Sequence, residues 1–457
     1  MRQNNIGTLF IITGMLFLVA SLFFGLMGAS VYIWPDGAGR MFTFAQIRPL
    51  HVSLAIFWIL FTATGAVYSS MNHISHLRAI NNAMAFGQLM LMTGSAAAIV
   101  LAYLGKHFGG REYLEFPPHY AIFIASGFII FLINYIQWVR KIKSWPVYMW
   151  MWLTGIVFFI ITFGESYLWL FPSFAADVIK DLTVQWKAGG SIVGSWNMLV
   201  YGTGLFLMEK VSGNQSYSKS GIAFLLYFLG LTNLMFNWGH HIYLLPTAAY
   251  IRYVSYAISM TEWVLLARII YLWKKSMVEN RNYFSHLSVR FLYIADIWVL
   301  LNLALAIVMS IPGLNLYTHG THITVAHAMG ATIGINSMIL LAAASEFGKG
   351  VCILPAYRER ICGLSLKVAH LSLIVFWLSL IGAGLQKAIW LHSELPKPFS
   401  SMMKGLSPYF IVFGCSGFVL ALALTTIVAT LVVSYTGCIK YTYVRKGNIA
   451  FTSRGQN

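Results

Sequence analysis

Residues 236–247 read FNWGHHIYLLPT, and two adjacent histidines, His240 and His241, close a run that is otherwise almost purely apolar. A buried imidazole is costly unless something binds it. Two more histidines sit in equally apolar surroundings, His51 in RPLHVSLAIFWIL and His327 in YTHGTHITVAHAMGATIG. Imidazole is the usual protein ligand of heme iron and of non-heme iron or copper, so the chemistry these residues suggest is ligation. His327 and Met329 are two positions apart, about 200° around a helix, and point to opposite faces. If both bind hemes, one helix stands between two macrocycles. A heme also needs flat apolar walls and cations for its propionates. Aromatic residues make up 16% of the chain, Arg48 lies one turn from His51, and Arg252 sits at the outer end of a later span. Taken singly, each histidine also reads as a satisfied core residue and each arginine as a membrane-interface residue.

The elements that must position these groups are transmembrane helices. Of 457 residues, 58% are hydrophobic and 9% charged, with a mean hydropathy of +0.72, a balance that marks an all-α integral membrane protein. About twelve apolar windows are expected to span: 7–32, 49–73, 82–105, 119–139, 145–171, 186–208, 219–244, 246–273, 288–311, 320–346, 364–392 and 407–438. Connections are short, so residues 1–457 are read as a single membrane domain. The net charge of +17 does not imply nucleic acid, because Arg140, Lys141, Lys143, Lys274, Lys275, Arg281, Arg358, Arg360, Arg445 and Lys446 gather on the side of both termini. That is the positive-inside pattern, with both termini cytoplasmic. The N-terminus starts a full-length span without a cleavage-type motif and is expected to be retained. Cys352, Cys362, Cys415 and Cys438 form no C-x-x-C pair and no heme-attachment motif, so covalently bound heme would belong to another subunit. With this topology His51, His240, His241 and His327 fall at one depth, in the outer half of the membrane; His327 lies roughly 10 Å below the start of its span. Four imidazoles from three spans at one level favour ligation over separate structural roles.

These residues resemble a known family. The chain is similar, over nearly its whole length, to the catalytic subunit of cytochrome c-dependent nitric oxide reductases, in the heme-copper oxidase superfamily. FAQIRPLHVSLAIFWILFTATGAVY resembles the segment carrying the low-spin heme b ligand, which the resemblance assigns to His51. WGHHIYLLP resembles the segment whose paired histidines bind non-heme iron, giving that role to His240 and His241. YTHGTHITVAHAMG resembles the segment of the high-spin heme b ligand, His327. ISMTEW places Glu262 where the family has a glutamate beside that iron. GGREYLEFPP resembles a loop whose first glutamate binds structural calcium near the propionates and whose second serves proton uptake from outside, implying Glu112 and Glu115.

The pattern breaks at three places. The family takes a third iron-binding histidine from span 6, where this chain reads VQWKAGGSIVGSWNMLVYGTGLFLMEKVSG. Matching GSWN to the family pattern puts Gly189 at that histidine, with Val193 and Asn197 at two glutamates; the three share a helical face. His240, His241 and Glu262 remain, a two-histidine, one-carboxylate set that can hold iron(II). Lys187 is expected to snorkel outward. Met329 stands where the family has the second low-spin heme histidine. Its thioether either ligates that iron, raising its potential, or fills core. Of the other intramembrane charges, Glu165 lies high in span 5, and Asp296 and Arg268 are expected to pair.

Two functions follow. One is an oxidoreductase of the nitric oxide reductase type, catalytic through His327 and Glu262. It would take electrons from a cytochrome c-bearing small subunit or a soluble cytochrome c, in the bacterial cytoplasmic membrane and in contact with lipid, and reduce NO to nitrous oxide or carry out a diverged NO reaction such as dismutation. The other is a non-catalytic heme b electron-transfer or scaffold subunit that has lost the non-heme metal site.

Overall fold

The computed structural model describes residues 6–34, 41–74, 80–140, 142–279, 286–349, 353–393 and 398–452, with the side chains of 216–217, 262–266, 269–270, 272–279 and 437–452 outside the description. Every element among the described residues is helical. In chain order they are α1 (Ile6–Ile33), α2 (Phe44–Ile74), α3 (Asn82–Leu104), α4 (His119–Val139), α5 (Val147–Glu165), the short α6 (Pro172–Ala175), α7 (Val178–Ser212), the short α8 (Ser216–Lys219) and α9 (Gly221–Phe236). These are followed by α10 (Ala249–Glu279), α11 (Leu287–Ser310), the short α12 (Pro312–Thr318), α13 (His322–Met329), α14 (Met338–Gly348), α15 (Ala356–Leu391) and α16 (Phe399–Thr452). Eleven membrane-length apolar helices occur among the described residues. The remaining expected span, 246–273, falls on α10, part of whose side chains lie outside the description.

In a membrane every backbone polar group must be satisfied within the protein, which leaves helices as the building unit for so apolar a chain. Small residues set how closely they approach. At the α1/α2 crossing a Cβ on Gly65 would stand 2.6 Å from the Gly7 carbonyl oxygen, so only a glycine pair permits that spacing. The continuous core runs through α1–α5, α7, α11 and α14–α16, with Trp58, Trp152, Trp298 and Tyr435 almost wholly enclosed. Trp58 Nε1 donates to the Ser337 hydroxyl (2.9 Å) and Tyr435 O–H to the Ala344 carbonyl (2.7 Å), which satisfies two large amphipathic side chains in the interior.

Three elements depart from the sequence expectation. α7 begins at Val178, two turns before the expected 186, because the Asp177 side chain caps the amides of Ile179 (2.9 Å) and Lys180 (3.2 Å). The expected span 320–346 is broken: α13 passes into a π-helix, Gly330–Ser337, before α14. This wide turn starts directly after Met329, leaving His327 and Met329 in α-helical register on opposite faces. The expected span 219–244 gives way at Asn237 to a 3-10 segment, Asn237–Ile242, which carries both adjacent histidines. Gly239 lets that segment press against α10; a Cβ there would stand 3.0 Å from side-chain carbons of Ile251 and Ser255.

Candidate functional site

His51 lies on α2, one turn inward from Arg48. Its Nδ1 is 2.8 Å from the main-chain oxygen of Ser21 on α1. The Ser21 hydroxyl, 3.2 Å from the same nitrogen, donates to the His51 carbonyl at 2.9 Å. A carbonyl can only accept, so Nδ1 carries the proton and Nε2 keeps its lone pair, the tautomer required of an axial heme ligand. Gly25 makes this approach feasible, since a Cβ there would stand 2.9 Å from both Cε1 and Nδ1 of His51. Met329 is partly buried against the core, and α13 packs chiefly on α15 rather than on α2 among the described residues.

The rings of His240 and His241 have centroids 4.1 Å apart. Nδ1 of His240 is 3.0 Å from Oδ1 of Asn237, an oxygen that also accepts from the Ser259 hydroxyl, while the Ser255 hydroxyl donates to the Asn237 carbonyl at 2.8 Å. Two donors converging on Oδ1 fix the amide orientation and put the His240 proton on Nδ1. Trp186 of α7 stacks on His241, 5.2 Å between centroids at 13°. His240, His241 and His327 lie within electrostatic reach of one another, so three of the four histidines singled out from the sequence are brought together. A fourth joins them that the sequence reading passed over. His319, in the turn between α12 and α13, hydrogen-bonds the main chain of His241 and acts electrostatically on both paired rings. Burial holds its pKa below the ordinary histidine value, with the bond to His241 pulling the other way. It stands in the same YTHGTH stretch, eight residues before His327; only a search for every imidazole near that helix start would have selected it.

On α7, a Cβ at Gly189 would meet nothing within 4 Å, whereas one at Gly190 would stand 3.0 Å from Trp238 Cβ and 3.7 Å from His241 Cδ2. The histidine segment therefore packs on Gly190, and Gly189 borders open space. Val193 is exposed, and Asn197 Oδ1 accepts from Asn336 Nδ2 at 3.0 Å. Among the described residues no three His, Cys, Asp or Glu side chains converge as metal ligands; Glu262 is one whose side chain lies outside the description. These donors do not fit a three-ligand non-heme metal. His51 does fit heme, since Ser21 holds the proton on Nδ1 and leaves the Nε2 lone pair free, and His327 is a second, partly buried imidazole.

The outer rim is a charged layer. Arg48 bridges Glu112 (2.6 Å) and Glu115 (2.9 Å), so the expected propionate cation and the two loop glutamates meet. Tyr113 between them holds φ +71°, a strained conformation for an aromatic residue that marks functional segments. Its ring lies 5.8 Å from the Arg48 guanidinium and edge-on to Trp186 at 6.4 Å. Burial raises the Glu115 carboxyl above its ordinary value, outweighing its main-chain hydrogen bonds and the pull of Arg48, and Oε2 has no hydrogen-bond partner. Arg111 pairs with Asp181 at 2.5 Å. Lys187 does not snorkel freely outward; it pairs with Glu165 of α5. Arg252 donates to the Tyr243 carbonyl at 2.8 Å. Asp296 is buried and Arg268 exposed, and their expected pairing is not among the ion pairs of the described residues. Beneath this rim a small, partly open pocket of about 20 Å³ lies between α2, α4, α5 and α7, lined mostly by apolar side chains including Phe57, Phe163, Ile192 and Trp196.

Comparison with known proteins agrees with this architecture. The family model described as cytochrome c and quinol oxidase polypeptide I matches residues 5–419. A nitric oxide reductase polypeptide of Stutzerimonas stutzeri is 23% identical over 411 residues, covering 84% of each chain. A heme-copper terminal oxidase dimer solved by cryo-EM superposes with a TM-score of 0.76 at 13% identity, covering 94% of this chain and 84% of that one.

Proposed function

The chain belongs to the cytochrome c and quinol oxidase polypeptide I family of multi-pass membrane oxidoreductases, and from that premise we propose that it is a heme oxidoreductase of the nitric oxide reductase type. What supports this reading is the contact of the His240 and His241 rings, 4.1 Å between centroids, with His319 and His327 within electrostatic reach of them, and the pairing of Arg48 with Glu112 and Glu115. His51, with Met329 as second ligand, would hold a low-spin heme b, and His327 a high-spin heme b. When bound, these groups would pass electrons from a cytochrome c partner, either a tightly held subunit or a soluble protein, to NO, two molecules becoming nitrous oxide and water with two electrons and two protons. His51 contributes a fixed Nε2 lone pair, because Ser21 holds the proton on Nδ1. Glu115 is suited to take protons from the outer side: its carboxyl is held above the ordinary range by burial, and its Oε2 is unpartnered. Inward of it the hydroxyls of Tyr103 and Ser53 are 3.2 Å apart. Calcium at Glu112 belongs to the same proposal, as does a cytoplasmic-membrane location with both termini inside.

A second reading, a non-catalytic heme b electron carrier, is favoured by one observation: open space at Gly189 and no three-donor group among the described residues. Counting heme and metal on the purified protein separates the two. Two hemes b with NO consumption support the enzyme. Two reducible hemes inert toward NO support the carrier, and no porphyrin in a pyridine hemochrome assay removes both.

A further inference from the structure

Ser21 orients His51 and Asn237 orients His240, each through a hydrogen bond at Nδ1. His241 is held differently. Burial and the neighbouring histidines act on its ring, and no hydrogen bond reaches a ring nitrogen among the described residues. Its ring plane is set by contact instead. The indole of Trp186 on α7 stacks on it, with centroids 5.2 Å apart and planes 13° from parallel, and the His240 ring lies 4.1 Å away at 42°. Gly190, one turn along α7 from Trp186, gives the histidine segment room: a Cβ there would stand 3.0 Å from Trp238 Cβ and 3.7 Å from His241 Cδ2. Trp186 is braced in turn. The Tyr113 ring meets it edge-on, 6.4 Å between centroids at 72°, and the Arg48 guanidinium lies 5.8 Å from the Tyr113 centroid. Arg48 is itself fixed by Glu112 at 2.6 Å and Glu115 at 2.9 Å. Tyr113 holds φ +71°, a conformation that an aromatic residue keeps only where its surroundings over-determine it. An unbroken set of contacts thus joins the charged rim to one histidine of the pair.

We propose that Trp186 is a positioning residue for His241, with Tyr113 as its brace, so that the outer rim and not a hydrogen bond sets the ring plane of that histidine. A stacked aromatic pair favours its offset, near-parallel geometry by about 2- to 10-fold over an unstacked one. An imidazole nitrogen offers its lone pair in the plane of the ring, so a fixed plane fixes the direction in which His241 can bind or accept. Without the indole, the ring turns about its Cβ–Cγ bond, a torsion with broad wells, and that direction is lost. Trp186 and Tyr113 act here through His241 and not on the reacting molecule. The consequence for turnover rests on the nitric oxide reductase reading given above; the orientation of the ring does not.

The test is NMR of the full-length protein in lipid nanodiscs with isotope-labelled histidine. The His241 ring signals, identified by their loss in His241→Asn, are expected to be displaced by the indole ring current and to return toward the ordinary imidazole position in Trp186→Leu. Trp186→Phe restores an aromatic face and should keep them displaced. Tyr113→Gly keeps the positive φ without strain and removes only the ring; it should move the His241 signals in the same direction as Trp186→Leu. Signals at one position in the native protein and in Trp186→Leu overturn the proposal, and signals unmoved in Tyr113→Gly overturn the brace. Where Trp186→Leu does not fold, the native protein decides: a nuclear Overhauser contact between the His241 ring and the Trp186 indole is expected, and its absence overturns the stack. NO consumption per heme on the same samples should fall about 2- to 10-fold in Trp186→Leu and recover in Trp186→Phe; an unchanged rate overturns the positioning role. A native protein that consumes no NO overturns the functional reading alone, and the ring signals then decide how His241 is held.

Discussion

Replacing Gly25 by alanine tests the proposed low-spin heme ligand through a residue that has no side chain to offer as a ligand. The added Cβ would stand 2.9 Å from Cε1 and Nδ1 of His51, where ordinary contact is about 3.5–4.0 Å. The imidazole must retreat from α1 by roughly 0.6–1 Å. Ser21 is on the same helix, one turn earlier, so that retreat stretches the 2.8 Å bond from Nδ1 to its carbonyl to about 3.4–3.8 Å, beyond a sound hydrogen bond. The ring then loses its fixed tautomer. Removing such a partner of a metal-bound histidine weakens binding about 10–100-fold, roughly 1.4–2.7 kcal/mol. Gly28→Ala, one turn along the same helix, is the control, because its Cβ would meet Ile47 at an ordinary 3.5 Å. Purified variants are compared by pyridine hemochrome and by reduced-minus-oxidised spectra under heme titration. Gly25→Ala should lose low-spin heme occupancy at limiting heme and Gly28→Ala should not. Equal low-spin spectra and equal occupancy in both would refute the assignment of His51 and the role of Ser21.

Met329→His should lower the low-spin potential and move its spectrum toward bis-histidine ligation; an unchanged spectrum and potential would show that the native sulfur is not a ligand. Gly189→His should be accommodated, since its Cβ meets nothing within 4 Å. It should raise non-heme iron content, measured by elemental analysis against heme, and iron unchanged from the native protein would refute the placement of the missing ligand. Because burial raises the Glu115 carboxyl, the stability owed to its protonated form is fully present below the ordinary carboxylate pKa of 4.5 and is lost as pH rises through the raised value. Thermal stability relative to Glu115→Gln should therefore fall with rising pH across that window, and a relative rise would contradict the upward shift assigned to burial.

The membrane class, the helical fold and the order of the histidine segments were legible in the chain itself. Apolar windows of membrane length permit only helices, and the two-residue spacing of His327 and Met329 fixes opposite faces on any α-helix. Local signals that depend on a single side chain were harder to weigh. The Asp177 cap that lengthens α7, the π-helix after Met329 and the 3-10 turn under His240 and His241 each arise where a few hydrogen bonds or a glycine contact outweigh hydrophobic periodicity. Contacts between distant segments were not legible at all. Arg48 meeting Glu112 and Glu115, Lys187 meeting Glu165, His319 reaching the paired histidines, and Ser21 orienting His51 join residues from different helices or from a helix and a distant loop. Helix rotation and depth decide such meetings, and those are set by side-chain packing summed over the whole bundle. The sequence could therefore nominate the ligands, while only the tertiary structure could say which nitrogen each imidazole has free and what stands beside it.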